Sequence, residues 1–241
     1  MVSSISSVGI IGQGSFGNFM KTLIPRTASI LVYDPKLKKD KRSELKSVIG
    51  CDILILAIPL SAYDKVLKEV AKYIPKDTLI IDVCSVKEQP ERKIAKQLAN
   101  HNNILLTHPL FGPQSAAKST KGFSLIVTKC EGDRAKKVVA YCKNELGLKI
   151  CLMTSKKHDQ LMSQVHALTF FIAKSLNKMG LPDSVFHTPS YLMIDNLIKI
   201  DKDHSPELFK TIELGNAYAK NIRSKFLSSA MEVNKSIDGL N

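Results

Sequence analysis

The sequence predicts an α/β protein in two parts, a parallel sheet covered by helices over residues 1–153 and a smaller all-helical domain over 154–241. From residue 7, short apolar runs alternate with longer amphipathic stretches, the pattern of repeated βαβ units. After Met153 the strand-like runs stop, and apolar residues recur at helical spacing instead.

The strand candidates in order are SVGII (7–11), SILVY (29–33), DILILAI (52–58), TLIIDV (78–83), NILLT (103–107), FSLIVT (123–128) and KICLM (149–153). Their near-continuous apolar character means burial on both faces, as in a parallel sheet between helical layers. Stretches of helical character, each long enough for a crossover, separate the first five. In the second part, Leu161, Val165, Leu168, Ile172, Leu176 and Met179 form one helical stripe that Gly180 stops. Thr188-Pro189 and Ser205-Pro206 each place a cap residue before proline, the signature of a helix start. The last helix then carries Phe209, Ile212, Ala219, Ile222, Phe226 and Val233 along one stripe. Such helices form a thin core alone, so they are expected to pack on the first domain or on another subunit.

Composition narrows the function. There are 35 Lys and Arg against 22 Asp and Glu, a net charge of +13, which favours anionic partners. The densest charged run, KLKKDKRSELK at 36–46, mixes signs and reads as a solvated helix face. Aromatics are few and not interleaved with it, so no nucleic-acid partner is expected. The five cysteines show neither disulfide nor zinc-ligand spacing and read as reduced thiols, and no metal site is expected. MVSSISS lacks signal-peptide character, and the longest apolar run, ILILAIPL at 53–60, is too short to span a bilayer. The expected protein is soluble and cytoplasmic, without a membrane partner.

The strongest local motif is VGIIGQGSFGNFM, in which Gly12, Gly14 and Gly17 fit G-x-G-x-x-G between the first strand and the first helix. The first glycine permits a tight turn, the second admits a pyrophosphate and the third allows close helix–strand packing. The helix N-terminus adds amide donors and the positive end of its dipole. This is a Rossmann-type signature. Asp34 ends the second strand 22 residues after Gly12, where a carboxylate bonds ribose hydroxyls and repels a 2′-phosphate. NAD is therefore the expected cofactor, with NADP kept open by Lys36 and Lys38 nearby. Gly12, Gly14, Ser15, Phe16, Gly17, Asp34 and Pro59 are the expected cofactor-binding residues.

Ligands of open α/β sheets bind outside the carboxyl ends of the strands. Ser85 follows the fourth strand in IIDVCSVK and His108 follows the fifth in LLTHPLFGP, so both are candidates for chemistry beside the reactive end of a dinucleotide. An imidazole takes a proton near neutrality as the carbon it serves loses hydride. A serine hydroxyl there holds the imidazole or the substrate oxygen in line.

GIIGQGSFG, LAIPLSAYDKVL, DVCSVK and THPLFGPQS, in this order, resemble the prephenate and arogenate dehydrogenase family of tyrosine biosynthesis. The resemblance implies a Rossmann domain with a helical dimerisation domain, hence a homodimer. It also implies oxidative decarboxylation of a small anionic cyclohexadienyl substrate, prephenate to 4-hydroxyphenylpyruvate or its arogenate counterpart. In that pattern His108 accepts the hydroxyl proton and Ser85 orients both. The helical part departs from the pattern. Relatives carry Gln-x-Leu-x-His-Phe, whereas VHALTFF places His166 at the glutamine position and Phe170 at the histidine position. Lys199 is the nearest cation to where relatives use an arginine for the substrate carboxylate, and Gln114 stands where many carry glutamate. Gln114, His166 and Lys199 are the substrate-binding candidates. Two other readings compete. A β-hydroxyacid dehydrogenase would need an asparagine four residues after a helix lysine, but Lys174 is followed there by Lys178. The other is a catalytically idle dinucleotide-binding regulator.

Overall fold

The computed structural model describes residues 5–38, 43–181 and 188–240. It divides into two units, Met1–His158 and Asp159–Asn241. Of the charged run at 36–46, residues 39–42 lie outside the described residues, and the helix beyond them starts only at Leu45.

In the first unit the order is β1 (Ser7–Ile11), α1 (Ser15–Leu23), β2 (Ser29–Tyr33), α2 (Leu45–Ile49), β3 (Ile53–Leu56), α3 (Tyr63–Tyr73), β4 (Leu79–Asp82), α4 (Glu88–Gln97), β5 (Ile104–Pro109), α5 (Pro113–Ala116), β6 (Ser124–Glu131), α6 (Asp133–Asn144) and β7 (Lys149–Leu152). The strands form one sheet in the order β2-β1-β3-β4-β5-β6-β7. Strand β1 has β2 on one side and β3 on the other, so the winding reverses beside it, the place where such sheets open a crevice.

Strands β1 to β5 run parallel, as the sequence predicts, and β6 is antiparallel to β5, so the sheet is mostly parallel. The reason lies in the connection. Between Pro109 and Ser124 the only helix is the four-residue α5, too short for a parallel crossover, so the chain turns back. Alternate strand residues feed two apolar layers. Val8, Ile55, Ile81 and Leu105 face α1 and α6, while Leu54, Ile80 and Leu106 face the side chains of α3 and α4. Each fully buried Ile or Leu contributes roughly 1.5–3 kcal/mol. Cys51 and Cys84 lie in this core, and all five thiols are free.

Helix α7 (Ser155–Met162) spans the unit boundary. The second unit continues through a π turn (Ser163–Ala167) into α8 (Leu168–Met179), then α9 (Pro189–Asp203), α10 (Pro206–Gly215) and α11 (Ala219–Asp238). Thr188 and Ser205 cap α9 and α10 through their side chains, and Gly180 ends α8 in the left-handed region. Two expectations need correction. The single last helix is broken at Asn216, whose side-chain amide donates to the Asp159 carbonyl at 2.7 Å while its oxygen accepts from the Tyr218 N–H. The π turn also rotates the first stripe, so Val165 and Met179 are exposed and Ala167, Phe170 and Ala173 are buried instead. Among the described residues, no helix is long and apolar enough to cross a membrane and no metal-ligating cluster occurs.

Candidate active site at the strand ends

Because β1, β3, β4 and β5 are parallel, the glycine loop, Pro59, Ser85 and His108 all belong to one edge of the sheet. The loop is fixed from two sides: the Gly12 N–H donates to the Tyr33 carbonyl and the Ala57 N–H to the Ile11 carbonyl, both at 2.9 Å. Gly12 has φ +100°, and a Cβ there would sit 2.2 Å from the Ala57 oxygen. A Cβ on Gly17 would meet the Gly12 oxygen at 2.0 Å, so helix α1 can lie this close to the strand only as glycine. At Gly14 the same construction meets nothing within 4 Å, and the α1 N-terminus has no side-chain cap. Exposed Ser15 begins the helix, while the Phe16 ring packs against Phe19, centroids 5.9 Å apart. The geometry suits a phosphate group approaching uncapped backbone amides.

Asp34 closes the other end of this loop. One carboxylate oxygen accepts the Gln13 N–H at 2.8 Å and the other the Lys36 N–H at 2.9 Å, which sets the carboxylate at the tip of β2. Exposed Pro59 opens the short 3₁₀ turn that leads from β3 into α3.

Beneath the strand ends that lead to Ser85 and His108 lies a polar network that sequence reasoning missed. Lys87 and Asp82 form an ion pair with both side chains fully buried, and the ammonium also donates to the Thr107 carbonyl. Asp82 further accepts from the Tyr63 hydroxyl and from the Cys84 N–H, while the Thr107 hydroxyl donates to the Asp82 carbonyl at 2.9 Å. The network ties the end of β4, which carries Ser85, to the end of β5, which carries His108. Burial, reinforced by the Asp82 charge, holds the Tyr63 phenol well above its usual range, so it stays a donor. The same two causes push the Cys84 thiol up to about 12.

His108 lies inside β5 rather than after it, two residues past a bulge between Leu106 and Thr107. Bulges re-aim side chains at sheet rims. The ring is 4 % exposed, and its Nδ1 lies 2.8 Å from Nε2 of His158, a fully buried residue of α7 in the same unit. The two rings meet edge-on, centroids 5.0 Å apart. Phe111 anchors the following turn in the core between Phe19 and Phe123. Gln114 stands exposed on α5. A cavity of about 490 Å³ is on the other side of the sheet, lined by side chains such as Met20, Ile55, Ile81, Leu105 and Val138. Its mostly apolar walls reach Thr107 and Phe111 but include neither the glycine loop nor Asp34, Ser85 or His108.

Residues 34–148 match the family model described as prephenate dehydrogenase, nucleotide-binding domain. The "Probable arogenate/prephenate dehydrogenase" of Methanocaldococcus jannaschii is 28% identical over 195 residues, 76% of this chain and 43% of its own length. The family-model match supports a nucleotide-binding domain of the prephenate dehydrogenase kind over residues 34–148. "Arogenate dehydrogenase 2, chloroplastic" of Arabidopsis thaliana, another similar protein, is 28% identical over 240 residues, 90% of this chain and 66% of that protein. The chain thus spans less than half of the first of these relatives and about two thirds of the second. In fold, it is similar to a prephenate dehydrogenase from A. aeolicus, solved in complex with hydroxyphenyl propionate and NAD+. The TM-score is 0.77 at 18% identity, over 97% of this chain and 91% of that one.

The remaining two candidates belong to the helical unit. His166 sits in the π turn with its ring edge-on to Phe170, centroids 4.9 Å apart, and Phe170 meets His204 in turn at 5.2 Å. The phenylalanine at the family's histidine position is therefore a buried core residue between two imidazoles. Lys199 forms an exposed ion pair with Asp195 one turn earlier, at 2.7 Å. Lys174 pairs with Asp201 at 3.2 Å and lies over the Phe209 ring, holding α8 to α9.

Proposed function

We propose that the chain is an NAD-dependent dehydrogenase that oxidises and decarboxylates prephenate to 4-hydroxyphenylpyruvate. The observation that carries this reading is a buried imidazole, His108, at the same sheet edge as an uncapped glycine-loop helix. Bound NAD supplies the hydride acceptor. The amides of Gly14, Ser15 and Phe16 and the carboxylate of Asp34 would hold it. His108 takes the proton of the ring hydroxyl as the carbon that bears it is oxidised. The ketone so formed accepts the electron pair of the ring–carboxylate bond, CO2 leaves and the ring becomes aromatic. Ser85 orients the hydroxyl, and His166 and Lys199 are the candidates for the substrate's carboxylates.

Gln114 favours prephenate over arogenate, because a neutral amide gives a substrate ammonium no charge partner. A β-hydroxyacid reading is disfavoured by Lys174, which is engaged by Asp201. The test is NADH formation by the purified protein with prephenate, with arogenate and with a short-chain β-hydroxyacid. Turnover with prephenate is expected; turnover with the hydroxyacid alone, or with none, refutes the assignment.

Cofactor choice has its own test. Asp34→Asn removes the charge and replaces one of the two acceptor oxygens with an amide donor. Losing a hydrogen bond to a charged group costs roughly 1.5–3 kcal/mol, so KM for NAD should rise on the order of 10–100-fold and NADP should gain relative to it. An unchanged NAD/NADP ratio would assign the preference elsewhere.

A homodimer formed through the helical unit is part of the same reading. Its buried core is small, built on Ala167, Phe170, Ile212 and Ala219. Leu192, Met193, Leu227, Met231, Val233 and Ile237 are exposed. Light scattering at micromolar concentration should give twice the chain mass, and Met231→Glu should lower it; a wild-type monomer contradicts the dimer.

A further inference from the structure

We infer that His158 is a positioning residue that sets the tautomer of His108, an inference that rests on the reading of His108 as general base. A neutral imidazole carries one N–H and one lone pair. The contact between His108 Nδ1 and His158 Nε2, 2.8 Å, is a hydrogen bond with two possible directions. If His158 donates, His108 must carry its own proton on Nε2 and that nitrogen cannot accept another. If His108 donates, its Nε2 carries the lone pair and is the base. Proton abstraction requires the second arrangement, with His158 the acceptor and its own proton on Nδ1.

Position supports this. His158 is fully buried on α7, and its backbone N–H donates to the Thr154 carbonyl at 2.9 Å, so the ring is delivered from a formed helical turn. His108 is held from behind by the bulge in β5 and by the ammonium of Lys87 on the preceding carbonyl. Both partners come from ordered elements 50 residues apart, which fixes ring orientation as well as protonation. When His108 takes the substrate proton, both its nitrogens carry hydrogen. The bond to His158 then becomes charge-assisted, and such bonds are shorter and roughly twice as strong as neutral ones. His158 thus acts only through His108, in the place that a carboxylate occupies behind the histidine of a serine-protease triad.

Nitrogen-15 NMR of the unliganded protein, with the His108 signal assigned by its loss in His108→Asn, reads the tautomer directly. The expected result is His108 protonated on Nδ1; protonation on Nε2 overturns the inference whether or not the protein turns over prephenate. Turnover gives a second reading. His158→Leu should lower kcat about 10–100-fold, the usual cost of losing an orienting partner. KM for NAD should stay unchanged, and His158→Gln, whose side-chain oxygen also accepts from Nδ1–H, should recover most of the loss. Wild-type kcat in His158→Leu, or equal losses in the leucine and glutamine variants, contradicts the role. Absence of turnover with every substrate, alongside an Nδ1–H tautomer, refutes the catalytic reading while leaving the pairing intact.

Discussion

His108→Asn is expected to lose roughly 10²–10⁴-fold in kcat, the usual contribution of a general base, with affinity for NADH unchanged. The substitution isolates proton transfer. Asparagine is polar and smaller, so it leaves His158 with an amide to bond and places no new bulk in the buried site. It cannot take a proton at neutral pH. The glycine loop and Asp34 are built from β1, β2 and α1, elements that do not include His108, so cofactor binding has no reason to change. In the wild-type enzyme kcat should fall once the pH is low enough to protonate the ring, because only the unprotonated ring accepts. The residual rate of the variant should lack that limb. Near-normal turnover of His108→Asn would end the assignment.

The second large effect concerns stability. Lys87→Met should destabilise the protein by about 3–5 kcal/mol, because it strands the buried carboxylate of Asp82 and the Thr107 carbonyl together. The value measures the loss of one partner, not the net worth of the pair, since burying both charges was itself costly. One outcome separates these ideas: Lys87→Met combined with Asp82→Asn should recover part of the loss, as read by urea denaturation. A loss below about 1 kcal/mol, typical of an exposed pair, would mean that water reaches the site.

Much of the fold is written locally. The seven apolar runs each became a strand, the central ones buried on both faces and the outer β2 and β7 only partly buried. The glycine loop, Asp34 and the Thr-Pro and Ser-Pro starts were equally legible, because each is a local solution to a backbone problem. The antiparallel return of β6 was readable in principle from the Gly-Pro turn and the short connection. The break at Asn216 was likewise signalled by Gly215-Asn216.

What stayed hidden depends on long-range pairing. In TSKKHDQ, His158 reads as one more polar residue at the exposed start of a helix, and nothing in its periodicity points to a partner 50 residues earlier. Asp82 and Lys87 stand five apart across a strand end, a spacing with no helical or strand meaning, so their ion pair emerges only once β4 and β5 are side by side. The π turn around His166 has no compositional signature at all, yet it decides which face of the long helix is buried.

The proposed chemistry depends on where a hydroxyl sits when the cofactor is bound. A crystal structure of the protein with NAD+ and hydroxyphenyl propionate measures that directly. The expected result places the phenolic oxygen 2.6–3.2 Å, roughly hydrogen-bond distance, from Nε2 of His108, with the ring against the nicotinamide. A phenol bound elsewhere, with the His108 ring turned from the nicotinamide, would contradict it.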